Sequence, residues 1–150
     1  MYDYVGPPLN RELLASVLAA NGIAERAYHL YGAHQDNALV LDNRPQGWVV
    51  FYSERGGEDI LSTYASEADA CLDLLNRLLD DTWNHFELVA GPALPAAADA
   101  EFVAWLHAHG LSRDDLEDVD VRMQDTPWKV AEPDYRRYWV HSRHVRRASL

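Results

Sequence analysis

The chain has few of the residues that covalent and membrane-anchoring devices require. It contains one cysteine, Cys71, so no disulfide can form within it. A single cysteine suits a reducing compartment. No stretch approaches the roughly 18 apolar residues that are needed to cross a bilayer. The first residues also lack a cationic segment followed by an apolar run. These absences predict a cytoplasmic protein without a membrane partner.

Positive charge is also scarce. Thirteen Lys and Arg residues stand against 24 Asp and Glu, which gives a formal net charge of −11. We therefore expect no nucleic-acid partner, because phosphate contacts need clustered Lys and Arg. A basic protein partner suits this charge better. The exception is the segment from Arg136 to Arg147, which predicts a solvated terminal strand, with a partner contact or intramolecular pairing as alternatives.

Histidines are present, but their spacing predicts no metal site. His107 and His109 are two apart on a predicted helix and diverge by about 200°. His141 and His144 lie on a predicted strand, where they would face opposite sides. No cysteine pair, HExxH motif or EF-hand loop accompanies them.

The sequence also lacks a recognisable catalytic constellation. A nucleophile elbow requires a glycine two residues before and two residues after the serine, and Ser53 has neither. Cys71 lies on an apolar helix face, away from an activating group. The acid pairs Asp114-Asp115 and Asp118-Asp120 are typical of a solvated acidic surface. We predict no catalytic residues, cofactor or metal; scattered catalytic groups in a small enzyme are the remaining alternative.

The 150 residues and 48% hydrophobic content suit one folded domain. Asn10 can cap a helix over Arg11–Ala20, and Gly22 can end it. A second helix begins at Ser66, with Asp69 placed for a capping box. Its predicted apolar stripe is Ala68, Cys71, Leu72, Leu75, Leu78 and Leu79.

Four strands are predicted between these helices, and short turns favour an antiparallel meander. The strands are Ala27–Tyr31, Ala38–Leu41, Trp48–Ser53 and Asp59–Tyr64. The third is the strongest because it is rich in aromatic and β-branched residues. Glu54 to Glu58 reads as a hairpin turn containing glycine.

The C-terminal part is predicted to add one more helix and several strands. Gly91 to Ala98 reads as a connection, Asp99 as a helix cap and Gly110 as the helix end. Ser112 starts a short helical turn. The strand candidates are Val119–Gln124, Trp128–Ala131 and a final strand over Arg137–His144. The whole chain, residues 1–150, is thus predicted as one α+β domain in which an antiparallel sheet packs against two or three helices.

Two motifs resemble a family of bacterial immunity proteins that are encoded beside polymorphic or secreted toxins. They are WVVFYSERGG at residues 48–57 and SEADAC at residues 66–71, which opens a Leu-rich helix. The upstream helix and the strand at residues 28–31 are also similar, so the resemblance covers about residues 10–80. The resemblance does not extend to residues 90–150. The turn at Gly57-Glu58-Asp59 is shorter than the basic insert of that family.

The resemblance implies an inhibitor of a cognate toxin, similar to the immunity factors of NAD-glycohydrolase necrotising toxins. The same module occurs beside other toxins, so the resemblance does not identify the target. An inhibitor needs a complementary surface rather than catalytic residues, and acidic inhibitors use charge to speed association. From charge we predict these toxin contacts: Asp114, Asp115, Glu117, Asp118 and Trp128. The alternative is a regulatory or scaffolding interaction domain.

Overall fold

A computed structural model describes residues 4–33, 36–127 and 134–148 of the chain. These residues form four α-helices and two β-sheets, which confirms the predicted α+β class. The elements fall into two compact units, Met1–His85 and Phe86–Leu150. The assignment of both units to one domain stays a prediction. The expectation of one antiparallel sheet is wrong, because backbone pairing divides the strands between two separate sheets.

The first helix, α1, has the predicted bounds, Arg11–Ala20. The Asn10 side chain accepts a hydrogen bond from the Leu13 N–H at 2.8 Å and so caps the first turn. Gly22, with φ of +72°, follows the last turn in the left-handed region that favours glycine. Leu14 and Leu18 are fully buried one turn apart.

The sheet of the N-terminal unit has the order β1-β2-β3-β4. Its strands are β1 (Tyr28–His29), β2 (Ala38–Arg44), β3 (Gly47–Glu54) and β4 (Gly57–Tyr64). The antiparallel meander is confirmed for β2, β3 and β4. It is wrong for β1, which pairs parallel to β2 over two residues. The chain after β1 therefore crosses over before β2 rather than reversing in a hairpin.

The turn between β3 and β4 is tighter than predicted. Glu54 pairs with Gly57, so Arg55 and Gly56 alone form the loop. Their φ angles are +52° and +77°. Two left-handed residues make the type I′ geometry that matches the twist of paired strands.

The second helix, α2, spans Glu67–Asp80. The Asp69 N–H donates to the Ser66 Oγ at 3.1 Å, which confirms the predicted cap. Cys71, Leu75 and Leu78 are buried as predicted, whereas Leu72 is 37% exposed and Leu74 takes its place in the core. The apolar face is rotated because α2 packs against both α1 and the sheet.

The C-terminal unit opens with β5 (Phe86–Ala93) and α3 (Pro95–Ala108). The predicted connection over Gly91–Ala98 is therefore wrong. The pairing of β5 with β7 is irregular and shifts register, and these irregularities allow Gly91 and Pro92 to lie within the strand. Pro95 stands at the first helical position, where its missing N–H has no helical acceptor. Asp99 is wrong as the helix cap, since it lies inside α3.

Two further strands, β6 (Val121–Pro127) and β7 (Asp134–His141), pair antiparallel in the order β5-β7-β6. The strand predicted near residues 119–124 is thus present. The predicted final strand is wrong beyond His141, because a short helix α4 (Ser142–Ala148) follows directly. The strand predicted over residues 128–131 lies outside the described residues.

Each unit has its own apolar core. The N-terminal core joins α1, α2 and the sheet face that carries Leu41 and Val50. The C-terminal core comprises Ala90, Phe102, Leu106, Leu116 and Val140. Among the described helices, none is long and apolar enough to span a membrane.

Candidate functional site, an acidic segment anchored by a buried aspartate

The predicted toxin contacts fall in a segment that we call the acidic segment, residues 112–120. Two successive 3-10 turns form it, Arg113–Asp115 and Asp118–Asp120. Leu116 lies between them, only 5% exposed, in the core of the C-terminal unit. One buried leucine thus holds a polar loop against the core while the neighbouring acids remain exposed.

Each turn begins with a capping box. The Ser112 N–H donates to Asp115 Oδ2 at 2.7 Å, and the Asp115 backbone N–H donates in return to the Ser112 side chain. The Glu117 N–H donates to Asp120 Oδ2 at 3.2 Å, and the Glu117 side chain accepts from the Asp120 backbone. Reciprocal capping satisfies backbone donors that a short turn leaves open. The segment therefore has a defined backbone shape before any partner binds.

The predicted contact residues differ in their accessibility and in their local bonds. Asp114 and Asp118 are exposed. Asp115 and Glu117 are exposed too, but each carboxylate already serves a capping box. Arg113 Nη2 approaches Asp118 Oδ1 only to 3.8 Å, with the Asp118 side chain fully exposed. Exposed pairs of this kind contribute little to stability. Trp128 lies outside the described residues.

The prediction that Asp120 lies on a solvated surface is wrong. Its side chain is only 3% exposed. Asp120 Oδ2 lies 2.9 Å from His144 Nε2, and Oδ1 accepts a hydrogen bond from the Arg143 guanidinium. Asp120 thereby joins the acidic segment to α4. A pattern of alternating acids did not reveal this, because the partners come from a distant part of the chain.

The surroundings of Asp120 keep it ionised. Burial raises the pKa of its carboxyl, but the hydrogen bonds from His144 and the Glu117 backbone lower it. The positive charge of Arg143 acts in the same direction, and the net pKa lies below the ordinary value for aspartate. The carboxylate can therefore anchor the segment throughout the neutral range.

A second charged cluster lies on β6, β7 and α3. Arg136 donates two hydrogen bonds to Asp125, of 2.8 and 3.0 Å, and two from Nη1 to Asp99, of 2.9 and 3.2 Å. Tyr138 donates to the same Asp99 at 2.6 Å, and its ring stacks on Phe102 at 4.3 Å. The hydrogen bonds from Tyr138 and Arg136 lower the pKa of Asp99, and that from Arg136 lowers the pKa of Asp125.

These contacts revise the interpretation of the arginine-rich terminus. Arg136 lies in β7 and Arg143 in α4, and both side chains form intramolecular ion pairs instead of being left to solvent. That outcome matches the alternative of internal pairing for these two residues. The side chains of Arg146 and Arg147 are outside the described set.

The motif residues of the N-terminal unit have structural roles. The Arg11 guanidinium lies 5.1 Å from the Trp48 ring, and the Arg11 N–H donates to Glu67 Oε2 at 3.1 Å. Cys71 is fully buried, and burial followed by the charge of Glu67 raises the pKa of its thiol to about 12. A thiol of that pKa is protonated at neutral pH and is a poor nucleophile.

No group of three or more potential metal ligands comes together in the part of the chain that the structure describes. Comparisons with known proteins add no neighbour: no protein-family model, no curated protein and no solved structure matches the chain. The acidic segment, with its fixed backbone and exposed carboxylates, is therefore the candidate site. What it can do chemically is bind a basic surface.

Proposed function

We propose that this protein is an immunity protein that binds a cognate bacterial toxin domain and blocks its active site. The observation that carries the proposal is the acidic segment, whose exposed Asp114 and Asp118 stand on a backbone fixed by two capping boxes and by Asp120. A preformed site loses little conformational entropy on binding. The motif resemblance at residues 48–57 and 66–71 supplies the class of partner.

The mechanism requires no catalysis by this chain. The formal charge of −11 attracts a basic toxin surface over about one Debye length, roughly 8 Å at physiological salt. The exposed carboxylates then set the orientation, and the bound inhibitor excludes substrate from the toxin. An NAD-glycohydrolase is one toxin that fits, and the cytoplasm is where such protection is needed.

The first test is co-expression with the toxin domain encoded by the adjacent gene. The proposal expects restored growth and a stoichiometric complex in size-exclusion chromatography. Loss of both would overturn it. A stable complex with a non-toxic neighbour would instead support a scaffolding domain.

A charge-reversal pair tests the candidate surface. The double variant Asp114→Lys/Asp118→Lys is expected to lower the association rate about tenfold and to weaken its dependence on salt. The control Glu12→Lys/Glu25→Lys changes the net charge equally at exposed acids of the N-terminal unit. Equal effects of the two variants would show that net charge, and not this segment, governs binding.

A further inference from the structure

The β3–β4 hairpin carries an unusual residue at its tip. Arg55 has a φ angle of +52°, in the left-handed region, and Gly56 follows at +77°. A residue other than glycine is uncommon in this region, and asparagine, aspartate and histidine are enriched there. Asn37, at +58°, follows that preference. Among the described residues, Arg55 is the one left-handed position that neither glycine nor asparagine occupies.

No contact within the described chain explains why an arginine stands here. The Arg55 side chain is exposed, and it forms no hydrogen bond, ion pair or aromatic contact with any described residue. Every other arginine side chain that the structure describes has at least one such contact. Glu58, beside the turn, is bound by Arg44 through two hydrogen bonds of 2.8 and 2.6 Å. The Arg55 guanidinium therefore has no stabilising partner in the described fold.

The hairpin holds this residue on a defined backbone. Glu54 pairs with Gly57 directly beside the two-residue loop, and the pairing of β3 with β4 continues to the other end of both strands. Below the tip, Phe51 is fully buried. A Cβ atom added at Gly56 would have no described residue within 4 Å apart from its chain neighbours. The tip is thus fixed at its base and open to an approaching molecule.

Backbone strain that the fold does not require is found at positions that bind ligands or partners. A guanidinium has a permanent positive charge and five N–H donors, and its planar fork matches a carboxylate. We propose that Arg55 binds a carboxylate of the toxin domain, so that the hairpin tip forms a contact in addition to the acidic segment. This inference rests on the proposed function, because that function supplies the partner.

The residues beside Arg55 favour a protein over a nucleic acid as the partner. Glu54 and Asp59 are both exposed, and neither forms an ion pair within the described chain. Two carboxylates this close to the arginine repel a polymer of phosphates. A protein surface can instead place one carboxylate among basic side chains, which would meet Glu54 and Asp59. The tip therefore suits a toxin surface on which an acid lies among basic residues.

Binding kinetics with the toxin domain encoded by the adjacent gene test this contact. Arg55→Ala should raise the dissociation constant at least about tenfold, because it leaves the toxin carboxylate without its partner. Arg55→Lys keeps the charge but not the planar fork, so it should recover only part of the affinity. The control Arg26→Gln removes one positive charge from the same unit and should leave the affinity unchanged. An equal loss in Arg55→Ala and Arg26→Gln would attribute the effect to net charge and overturn the proposal.

A stabilising variant separates binding from folding. Arg55→Asn suits a type I′ turn better than arginine does, so it keeps the hairpin while removing the guanidinium. It should lose as much affinity as Arg55→Ala, although its urea midpoint rises. Wild-type affinity in Arg55→Asn overturns the proposal, since the partner would then require only the backbone of the tip.

Charge reversal identifies the carboxylate. Arg55→Glu should abolish the complex, and replacement of one toxin Asp or Glu by Arg should restore it at least in part. If no such toxin variant restores binding, the partner group is not a carboxylate and the proposal fails. Binding of a DNA duplex that depends on Arg55 would assign the residue to nucleic acid and would also overturn it.

These measurements distinguish the contact from the function on which it rests. If the wild-type chain does not bind the toxin domain, both proposals are overturned. If the wild type binds and protects but Arg55→Ala does so equally, the hairpin contact alone is overturned.

Discussion

The two units of this protein are stabilised by different means. The larger apolar cluster in the described N-terminal unit has thirteen buried residues, whereas that of the C-terminal unit has five. The C-terminal unit adds charged networks around Asp120 and Arg136. A small unit buries a smaller fraction of its surface. Directed hydrogen bonds to charged groups therefore carry more of its structural specificity.

The two units also differ in how far their charged side chains are buried. In the N-terminal unit, the ion pairs of Arg44 with Asp42 and Glu58 are partly exposed. In the C-terminal unit, Asp120 is nearly inaccessible and depends on its partners from α4. Such a carboxylate stabilises the fold only while those partners remain in place.

The largest expected effect is in the N-terminal core. Leu75→Ala should lower the free energy of unfolding by about 2–5 kcal/mol, because it removes a fully buried side chain and leaves a cavity. Leu72→Ala is the matched control on the same helix, where the side chain is 37% exposed. Urea denaturation compares the two variants. Similar losses would contradict the observed rotation of the apolar face of α2.

Removal of the buried carboxylate should be the next largest effect. Asp120→Ala should cost about 1–3 kcal/mol, since it leaves His144 and the Glu117 N–H without their acceptor. Asp118→Ala, two residues away and fully exposed, should stay within about 0.5 kcal/mol of the wild type. Thermal denaturation gives both values. If the two substitutions had equal costs, Asp120 would not anchor the segment.

Lowering the pH should destabilise the C-terminal unit more than the N-terminal unit, with a smaller effect than the substitutions at Leu75 and Asp120. Asp99, Asp120 and Asp125 all have a lowered pKa and all lie in the C-terminal unit. A lowered folded pKa contributes stability above the unfolded value of about 3.9, and this is lost as pH falls through the folded value. Urea titrations followed by backbone amide NMR at pH 6 and pH 3 report the stability of each unit separately. Between pH 6 and pH 3, residues 86–127 and 134–148 should therefore lose more stability than the rest of the described chain. An equal loss in residues 4–33 and 36–85 would indicate that the chain unfolds as one cooperative domain.

The smallest effect is expected at the β3–β4 hairpin. Arg55 adopts a left-handed conformation that is unfavourable for most side chains. Arg55→Asn should raise stability by about 0.5 kcal/mol, because asparagine is preferred in the type I′ turn. Arg55→Ala removes the same charge without that preference and should not stabilise the hairpin. The urea midpoints of the two variants separate conformation from charge.

The sequence predicted those elements whose signals are local. Asn10 and Gly22 delimit α1, and Ser66 marks the start of α2. Each acts through backbone groups within a few residues, so no distant partner is needed. The same locality explains the errors. Asp99 was predicted as a helix cap because of its residue type. The helix α3 begins four residues earlier, at Pro95, so the Asp99 side chain binds Arg136 and Tyr138 instead of capping.

The candidate site was predictable only in part. Exposure of the acids near residue 114 followed from their density in a polar loop. The burial of Asp120 did not, because it depends on Arg143 and His144, which are more than 20 positions away. The capping box of Ser112 and Asp115 has the same local spacing as Ser66 and Asp69, whereas Glu117 is not a usual N-cap residue and its box with Asp120 is not indicated by the sequence.

By itself, the sequence determined the acidic charge, the α+β class and the local starts of α1 and α2, because composition and short-range backbone hydrogen bonds decide these features. Tertiary structure alone decided the parallel pairing of β1, the division of the strands into two sheets and the burial of Asp120. It also decided which face of α3 stays exposed. These features depend on contacts between distant residues, whose free energy arises only when the chain has brought them together.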